Sequence, residues 1–200
     1  MSDADPPSPS RFVASIRRLP GAWMDAALPV GLLLLLLTFA FAPQASWWWI
    51  WVWLQLPVYM LHQWEEHAGD RFRNWVNLKV GRGATLLTPL DVVVINLIGV
   101  WCVFAVALVL AVRVQPGFGL IAAYCVLVNA AVHIIAGVKL RSYNPGLLTS
   151  VVLFVPVGGA CIAELQRQGH GALAMHATGV GVAVAIHAAI VVTALRRKRA

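Results

Sequence analysis

The chain has 200 residues, of which 60% are hydrophobic and 12% are charged, and its mean hydropathy is +0.77. Soluble globular chains are about 45–50% apolar and about 25% charged, so this composition excludes a soluble single-core domain, a disordered chain and a small disulfide-stabilised secreted protein. The net charge of +7 and the pI of about 10.0 are those of many nucleic-acid-binding proteins. Here, however, the basic residues lie between long apolar stretches. Three cysteines stand singly within those stretches, as expected of small core residues: Cys102, Cys125 and Cys161.

The apolar stretches predict an all-α, polytopic membrane helical bundle. A spanning helix needs about 20 mostly apolar residues, and six stretches meet this requirement: about 22–42, 46–66, 88–112, 118–138, 147–165 and 171–195. Residues 1–20 form a polar tail, and residues 21–200 form one transmembrane domain without an internal repeat. The first stretch exceeds the usual 7–15-residue apolar core of a signal peptide, so we expect it to be retained as a helix.

Two further elements follow from aromatic residues. The second stretch begins with tryptophans, which anchor helix ends at the headgroup level: Trp47, Trp48, Trp49, Trp51 and Trp53. In the link after this stretch, Phe72, Trp75, Val76 and Lys79 recur at helical spacing among polar residues. This pattern is typical of a short amphipathic helix in the membrane interface, although a plain basic loop accounts for it equally well.

The distribution of basic residues predicts the orientation. Thirteen of the fifteen Lys and Arg residues fall on one set of alternating loops and termini, whereas only Arg113 and Arg167 fall on the other. Cytoplasmic loops carry the excess of Lys and Arg, so both termini are predicted to be cytoplasmic in a multi-pass protein of the cell membrane. The basic charge then faces anionic lipid, and no nucleic acid is required as a partner.

Ionisable residues inside spans are costly and mark functional sites. On the second stretch, Gln55, Tyr59, His62 and Glu66 form one helical stripe, and Glu65 flanks it. A His with carboxylates three and four positions later can offer an imidazole and a carboxylate to one ion.

Three other predicted spans carry polar groups near their predicted cytoplasmic ends. Asn129 and His133 are four residues apart on the fourth, Asp91 opens the third, and His187 lies on the sixth. Counted from the neighbouring basic loops, all of these groups lie at a similar depth, just inside the cytoplasmic leaflet. The small residues Gly179 and Ala183 share the face of His187 and permit close helix packing. We therefore predict a common site.

The segment His62-Gln63-Trp64-Glu65-Glu66 resembles the signature of the HXXEE-motif membrane proteins. The resemblance continues through Asn129 to His133 and through Tyr143-Asn-Pro-Gly146 with Thr149. It implies a multi-helix membrane protein with a metal site, and it supplies no reaction.

These residues predict a divalent metal, with zinc favoured over iron or manganese. The predicted ligands are His62, Glu66, His133 and His187. Glu65 would act as the general base and Asn129 would hold a substrate carbonyl or orient His133. The supporting residues are Asp91, Tyr59, Tyr143 and Thr149. The corresponding function is a metal-dependent hydrolase acting on a lipid or membrane peptide at the cytoplasmic leaflet.

Two other classes of function remain open. Intramembrane Glu, His and Asp residues also build proton relays and transport pathways, but here they cluster at one depth and no inverted repeat accompanies them. In a non-catalytic scaffold, the same residues would only fix helix packing through hydrogen bonds.

The predicted orientation is testable by cysteine labelling in intact cells. Single cysteines placed near Gln44, Gln115 and Gln168 should react with an impermeant reagent from outside, because these residues lie in the loops that are poor in Lys and Arg. Cysteines near Arg82 and Arg199 should react only after the membrane is opened. Labelling of either of these two in intact cells would overturn the orientation.

Overall fold

A computed structural model describes the backbone of residues 11–199 and the side chains of residues 23–198. Within residues 11–199 the chain is all-helical and contains no strand, as predicted. The helices are α1 (Arg11–Phe41), α2 (Trp47–His67), α3 (Arg71–Trp75, continued by Val76–Val80), α4 (Pro89–Arg113), α5 (Pro116–Leu140), α6 (Leu147–Arg167) and α7 (Leu173–Arg199).

Among the described residues, five helices are long and apolar enough to cross a membrane: Trp23–Phe41 within α1, and α4, α5, α6 and Leu173–Lys198 within α7. The predicted span at 46–66 corresponds to α2, which has the necessary 21 residues but is not among these five. The reason is its composition, because six tryptophans, Gln55 and the polar side chains at its C-terminal end all lower its mean hydropathy. That α2 also spans the bilayer remains a prediction.

Part of the predicted polar tail at 1–20 is helical. Helix α1 begins at Arg11, so the second half of the predicted polar tail at 1–20 is helical. The first ten residues of that tail lie outside the described part of the chain.

Helix α2 lies at the centre of the bundle and packs against α1, α5 and α6. The approach of α1 is close at Gly31, where an added Cβ would lie 2.9 Å from the Cβ of Met60. Small residues permit such contacts between membrane helices. The polar side chains of α2 are therefore covered by protein, which is the condition for their presence at membrane depth.

Helix α7 packs mainly on α5, and small residues form the contact, as predicted. An added Cβ on Gly179 would lie 2.8 Å from the carbonyl oxygen of Leu120, and Ala183 is fully buried. This contact places the next turns of α7, including His187, beside the C-terminal half of α5.

The link after α2 contains the short helix α3, so its predicted helical structure is confirmed; its position in the interface stays a prediction. Asn77 on α3 fixes the chain that leads into α4, since its Oδ1 accepts from the backbone N–H groups of Leu86 (2.9 Å) and Leu87 (3.0 Å). Helix α4 then begins with a capping box formed by Thr88 and Asp91.

Two π-helical segments interrupt the long helices near the polar cluster. One is Ile95–Cys102 within α4, and the other is Ser150–Phe154 within α6. Such segments occur frequently at functional sites, because they shift the side chains that follow by an extra residue.

Candidate metal centre

The predicted stripe on α2 is buried in the bundle. Gln55 and His62 are 0% exposed, and Tyr59 and Glu66 are each 4% exposed. Glu65, which flanks the stripe, is also buried. The prediction that one face of α2 carries these groups inward is therefore confirmed.

His62, Glu66 and His133 form a compact group whose potential ligand atoms all lie within 4.8 Å of one another. The Nε2 of His62 is 3.5 Å from Oε2 of Glu66, and the Nε2 of His133 is 3.4 Å from Oε1. Two atoms bound tetrahedrally to one zinc ion at about 2.0–2.2 Å would lie about 3.3–3.6 Å apart. The two distances end on different oxygens of Glu66, and both are in this range, so the group could hold a metal ion.

The proton position on His133 follows from its partner. Asn144 donates from Nδ2 to the backbone carbonyl of His133 (2.9 Å), and that carbonyl can only accept. The Oδ1 of Asn144 must then face the Nδ1 of His133 (2.6 Å), so this nitrogen carries the proton. The Nε2 of neutral His133 consequently directs a lone pair at Glu66.

The same reasoning applies to His62. The hydroxyl of Thr149 has one proton, which it donates to Oε2 of Glu65 at 2.5 Å. Thr149 must therefore accept from Nδ1 of His62 (2.8 Å), which leaves Nε2 of His62 as the lone pair. Among the described residues this buried Nε2 has no hydrogen-bond partner.

A third imidazole, His67, reaches Glu66 from the end of α2. The indole N–H of Trp101 donates to Oε1 of Gln63 (2.7 Å), and Nε2 of Gln63 donates to Oδ1 of Asn96 (2.7 Å). The Nδ2 of Asn96 therefore donates to Nε2 of His67 (3.0 Å). This nitrogen is also 3.1 Å from Oε2 of Glu66, so it approaches the carboxylate as an acceptor too.

In their neutral forms, His62 and His133 present lone pairs to the Glu66 carboxylate, while Nε2 of His67 accepts from Asn96 close to the same carboxylate. Acceptors that face one another in an apolar interior repel unless a proton or a metal ion lies between them. Protons on the imidazoles or a metal ion would satisfy the group. A dication would also compensate the carboxylate charge, and the fixed Nδ1 protons orient the rings as they do in metal sites.

Glu65 points away from this group and fastens α2 to the start of α6. Its two oxygens accept from the hydroxyl of Tyr143 (2.7 Å), the N–H of Leu148 (3.1 Å), and both the N–H (2.7 Å) and the hydroxyl of Thr149. Burial, followed by the hydrogen bond to Glu65, raises the pKa of Tyr143 to about 12. A carboxylate that accepts four hydrogen bonds holds its charge firmly and is a weak proton acceptor.

Gly146 lies where the loop before α6 passes over the two imidazoles. Its φ is +98°, and an added Cβ would lie 2.6 Å from Cε1 of His133 and 2.8 Å from Cε1 of His62. Only glycine combines this backbone conformation with such an approach.

The other predicted site residues are placed differently. Asn129 donates from Nδ2 to the hydroxyl of Tyr59 (2.9 Å), and its buried Oδ1 has no partner in the described part of the chain. The Nδ1 of His187 donates to the carbonyl of Ala183 (2.8 Å), and His187 lies outside the group of three potential ligands.

Asp91 has a structural partner instead of a place beside the imidazoles. It caps α4 through Thr88 and forms an ion pair with Arg197 at the end of α7. This arrangement links two helix ends on the predicted cytoplasmic side.

A mainly apolar cavity of about 120 Å³ adjoins the group. Glu66, Asn129, His133 and His187 line one part of it, and apolar residues of α4 and α7 line the rest. His187 is therefore a neighbour of the site across this cavity, at the predicted depth.

Sequence reasoning missed His67 and Asn144 as members of the site. His67 directly follows Glu66, and Asn144 lies in the loop before α6, so both stand beside residues that were singled out. Spacing alone gave no signal for either, because their contacts depend on how α4 and that loop pack against α2 and α5.

The fold and this group define an all-helical, membrane-type protein with a buried His/Glu/His cluster that can bind a metal ion. The chain belongs to the family described as "protein of unknown function with HXXEE motif", which matches residues 53–161, more than half of its length. The resemblance of the motif at 62–66 is thereby confirmed. The matched range contains all three cluster residues, and His187 lies beyond it. No curated protein and no solved structure matches the chain.

Replacing Gly146 with alanine should destabilise the protein by more than the cost of the backbone conformation, which is about 1–2 kcal/mol. The added Cβ would displace both imidazole rings. Gly69→Ala is the matched control, since Gly69 also has a positive φ (+64°) but nothing lies within 4 Å of its added Cβ. Thermal unfolding in detergent should show a larger loss for Gly146→Ala, and equal losses would contradict the close approach.

Thr149→Val should lower the free energy of unfolding by about 1–3 kcal/mol, because it leaves a buried donor on His62 without a partner. Thr178→Val is the control, since the Thr178 hydroxyl is exposed and bonds only to the carbonyl of Ala174 in its own helix. Chemical denaturation of the two variants should separate them. Equal stability would mean that the chain from His62 through Thr149 to Glu65 is not formed.

Proposed function

We propose that this protein is a metal-dependent hydrolase embedded in the membrane, which acts on a lipid or membrane peptide at the cytoplasmic leaflet. The observation that supports this proposal is the buried geometry of three residues, in which Nε2 of His62 and Nε2 of His133 lie 3.5 and 3.4 Å from oxygens of the Glu66 carboxylate. In this proposal these three residues hold the ion. Zinc is favoured over iron and manganese, because a small set of imidazole and carboxylate ligands with a position left for water is its usual catalytic environment.

The chain's own residues would supply binding, orientation and proton transfer. A bound Zn²⁺ supplies a polarised water molecule and a Lewis acid. Asn144 and Thr149 hold the two imidazoles in the tautomer that ligation requires. The hydroxyl of Tyr59 can donate as well as accept a hydrogen bond. The amide of Asn129 could therefore rotate so that its Oδ1 accepts from Tyr59 and its NH₂ group faces a substrate carbonyl in the cavity.

Glu65 and His187 would have different roles in this site. The four hydrogen bonds to Glu65 favour a positioning role for this residue over that of a general base. His187 lines the cavity, and its Nε2 is free to accept because its Nδ1 proton is bound to Ala183. It is therefore the candidate proton acceptor as well as a candidate fourth ligand.

The surroundings of the group favour a hydrolase over a proton relay. On the side away from the cytoplasm, Tyr59 packs against Phe104 and Phe154 at ring-centroid distances of 5.2 and 4.9 Å. These rings belong to a buried apolar cluster that continues along α5 through Val126 and Ile121. Polar groups at the opposite end, such as His176, are engaged with Tyr124 and Gln166.

Metal analysis of the detergent-purified protein tests the proposal. The wild type should retain one divalent ion per chain, and the single changes His62→Ala, Glu66→Ala and His133→Ala should each abolish retention. Thr149→Val should weaken metal affinity by about 10–100-fold, as is typical for residues that orient a ligand. His176→Ala is the matched control and should retain the ion, because this histidine lies away from the group.

The variants also separate the alternatives. His187→Ala lowers metal content if His187 is a ligand and leaves it unchanged if it only accepts a proton. Added metal should raise the thermal stability of the wild type and no longer that of the ligand variants. A wild-type protein without metal above background, whose variants lose stability independently of metal, would instead be a scaffold.

A further inference from the structure

We propose that the seam between α4 and α7 is a lateral entrance through which an acyl chain of a membrane lipid reaches the His/Glu/His cluster. This inference rests on the proposed function, since it names the substrate class of the same site. It depends on the shape and chemistry of two connected depressions between these helices.

The first depression is the inner cavity beside His133 and Glu66. The second is a groove of about 190 Å³ on the bundle surface, lined by residues of α4, α7 and the loop before α4. Leu87, Ile95 and Ile190 line both depressions. The groove and the cavity are therefore adjacent along one seam, and these three apolar side chains stand between the surface and the cluster.

The seam faces the bilayer. Both α4 and α7 are long and apolar enough to span, and Val94 in the groove and Val191 in the cavity wall are 44% and 54% exposed. At the end of the seam, the ion pair between Asp91 and Arg197 joins the two helices. That ion pair closes the seam at its predicted cytoplasmic end, while the rest of the seam stays open toward lipid.

The size and chemistry of the cavity select the occupant. Pockets that enclose a whole drug-sized molecule measure about 300–1,000 Å³, so a cavity of about 120 Å³ holds only part of a molecule. Its walls away from the cluster are apolar and include Ile95, Gly99 and Ile190. A lipid fits this arrangement, because the part of a chain next to its polar group can occupy the cavity while the remainder stays in the groove and the bilayer.

Photolabelling tests the entrance with the full chain reconstituted in vesicles of phosphatidylethanolamine and phosphatidylglycerol. The probe is phosphatidylethanolamine with a diazirine in one acyl chain, and labelled residues are located by mass spectrometry. We expect labels on the walls of the cavity. Gly99→Leu should reduce this labelling several-fold, since an added Cβ at Gly99 meets nothing within 4 Å and a larger side chain would fill the cavity.

Gly181→Leu is the matched control. Gly181 is an exposed glycine of α7, does not line the cavity, and also has nothing within 4 Å of an added Cβ. Ile190→Trp, with Val184→Trp as its control, provides a second pair if Gly99→Leu does not fold. Cavity labelling that is equal in a filled variant and its control, or labels confined to outward-facing residues, would overturn the entrance.

Two further arms separate the possible failures. If a diazirine-bearing single-span peptide labels the cavity and the lipid probe does not, the proposal of a lipid substrate is wrong and a membrane peptide is the substrate class. Metal content is measured on the same samples. Cavity labelling without bound metal would support the entrance and reject the metal-dependent hydrolase. Bound metal without cavity labelling would support the metal site and reject the entrance.

Discussion

Burying a carboxylate costs several kcal/mol unless its charge is compensated, and Glu66 is buried among three imidazoles. Asn144 and Thr149 engage the Nδ1 nitrogens of His133 and His62, and the chain that begins at Trp101 ends on Nε2 of His67. Each of these partners belongs to a different part of the fold. The cluster therefore joins α2 to α4, α5 and the start of α6, and either protons on the imidazoles or a metal ion would compensate the buried carboxylate charge.

Neighbouring glutamates on α2 have opposite environments. Glu65 receives hydrogen bonds from Tyr143, Leu148 and Thr149, whereas Glu66 faces lone pairs. Successive residues of a helix point about 100° apart, so one carboxylate can fasten the loop before α6 while the next faces the cluster. The two roles are connected, because the same Thr149 that binds Glu65 orients the ring of His62.

The sequence was sufficient to predict the helices and part of the candidate site. Period and length located five candidate spans within a few residues, and the spacing of His62 and Glu66 placed them on one face of α2, which is buried. The pairing of His133 with this face could be inferred from depth alone. His187 and Asp91 share that depth, yet depth does not fix how a helix is rotated about its axis, and their side chains found Ala183 and Arg197 as partners.

The properties that make α2 the most polar long helix also explain its position. Gln55, His62, Gln63 and Glu66 can be carried at membrane depth only where other helices cover them, and the more apolar α1, α5 and α6 supply that cover. The remaining side is bounded by α4 and α7, whose shared seam contains the groove and the cavity. Under the proposed entrance, a cluster covered by protein on its other sides would meet a lipid along this seam, where apolar residues of α4 and α7 line the cavity.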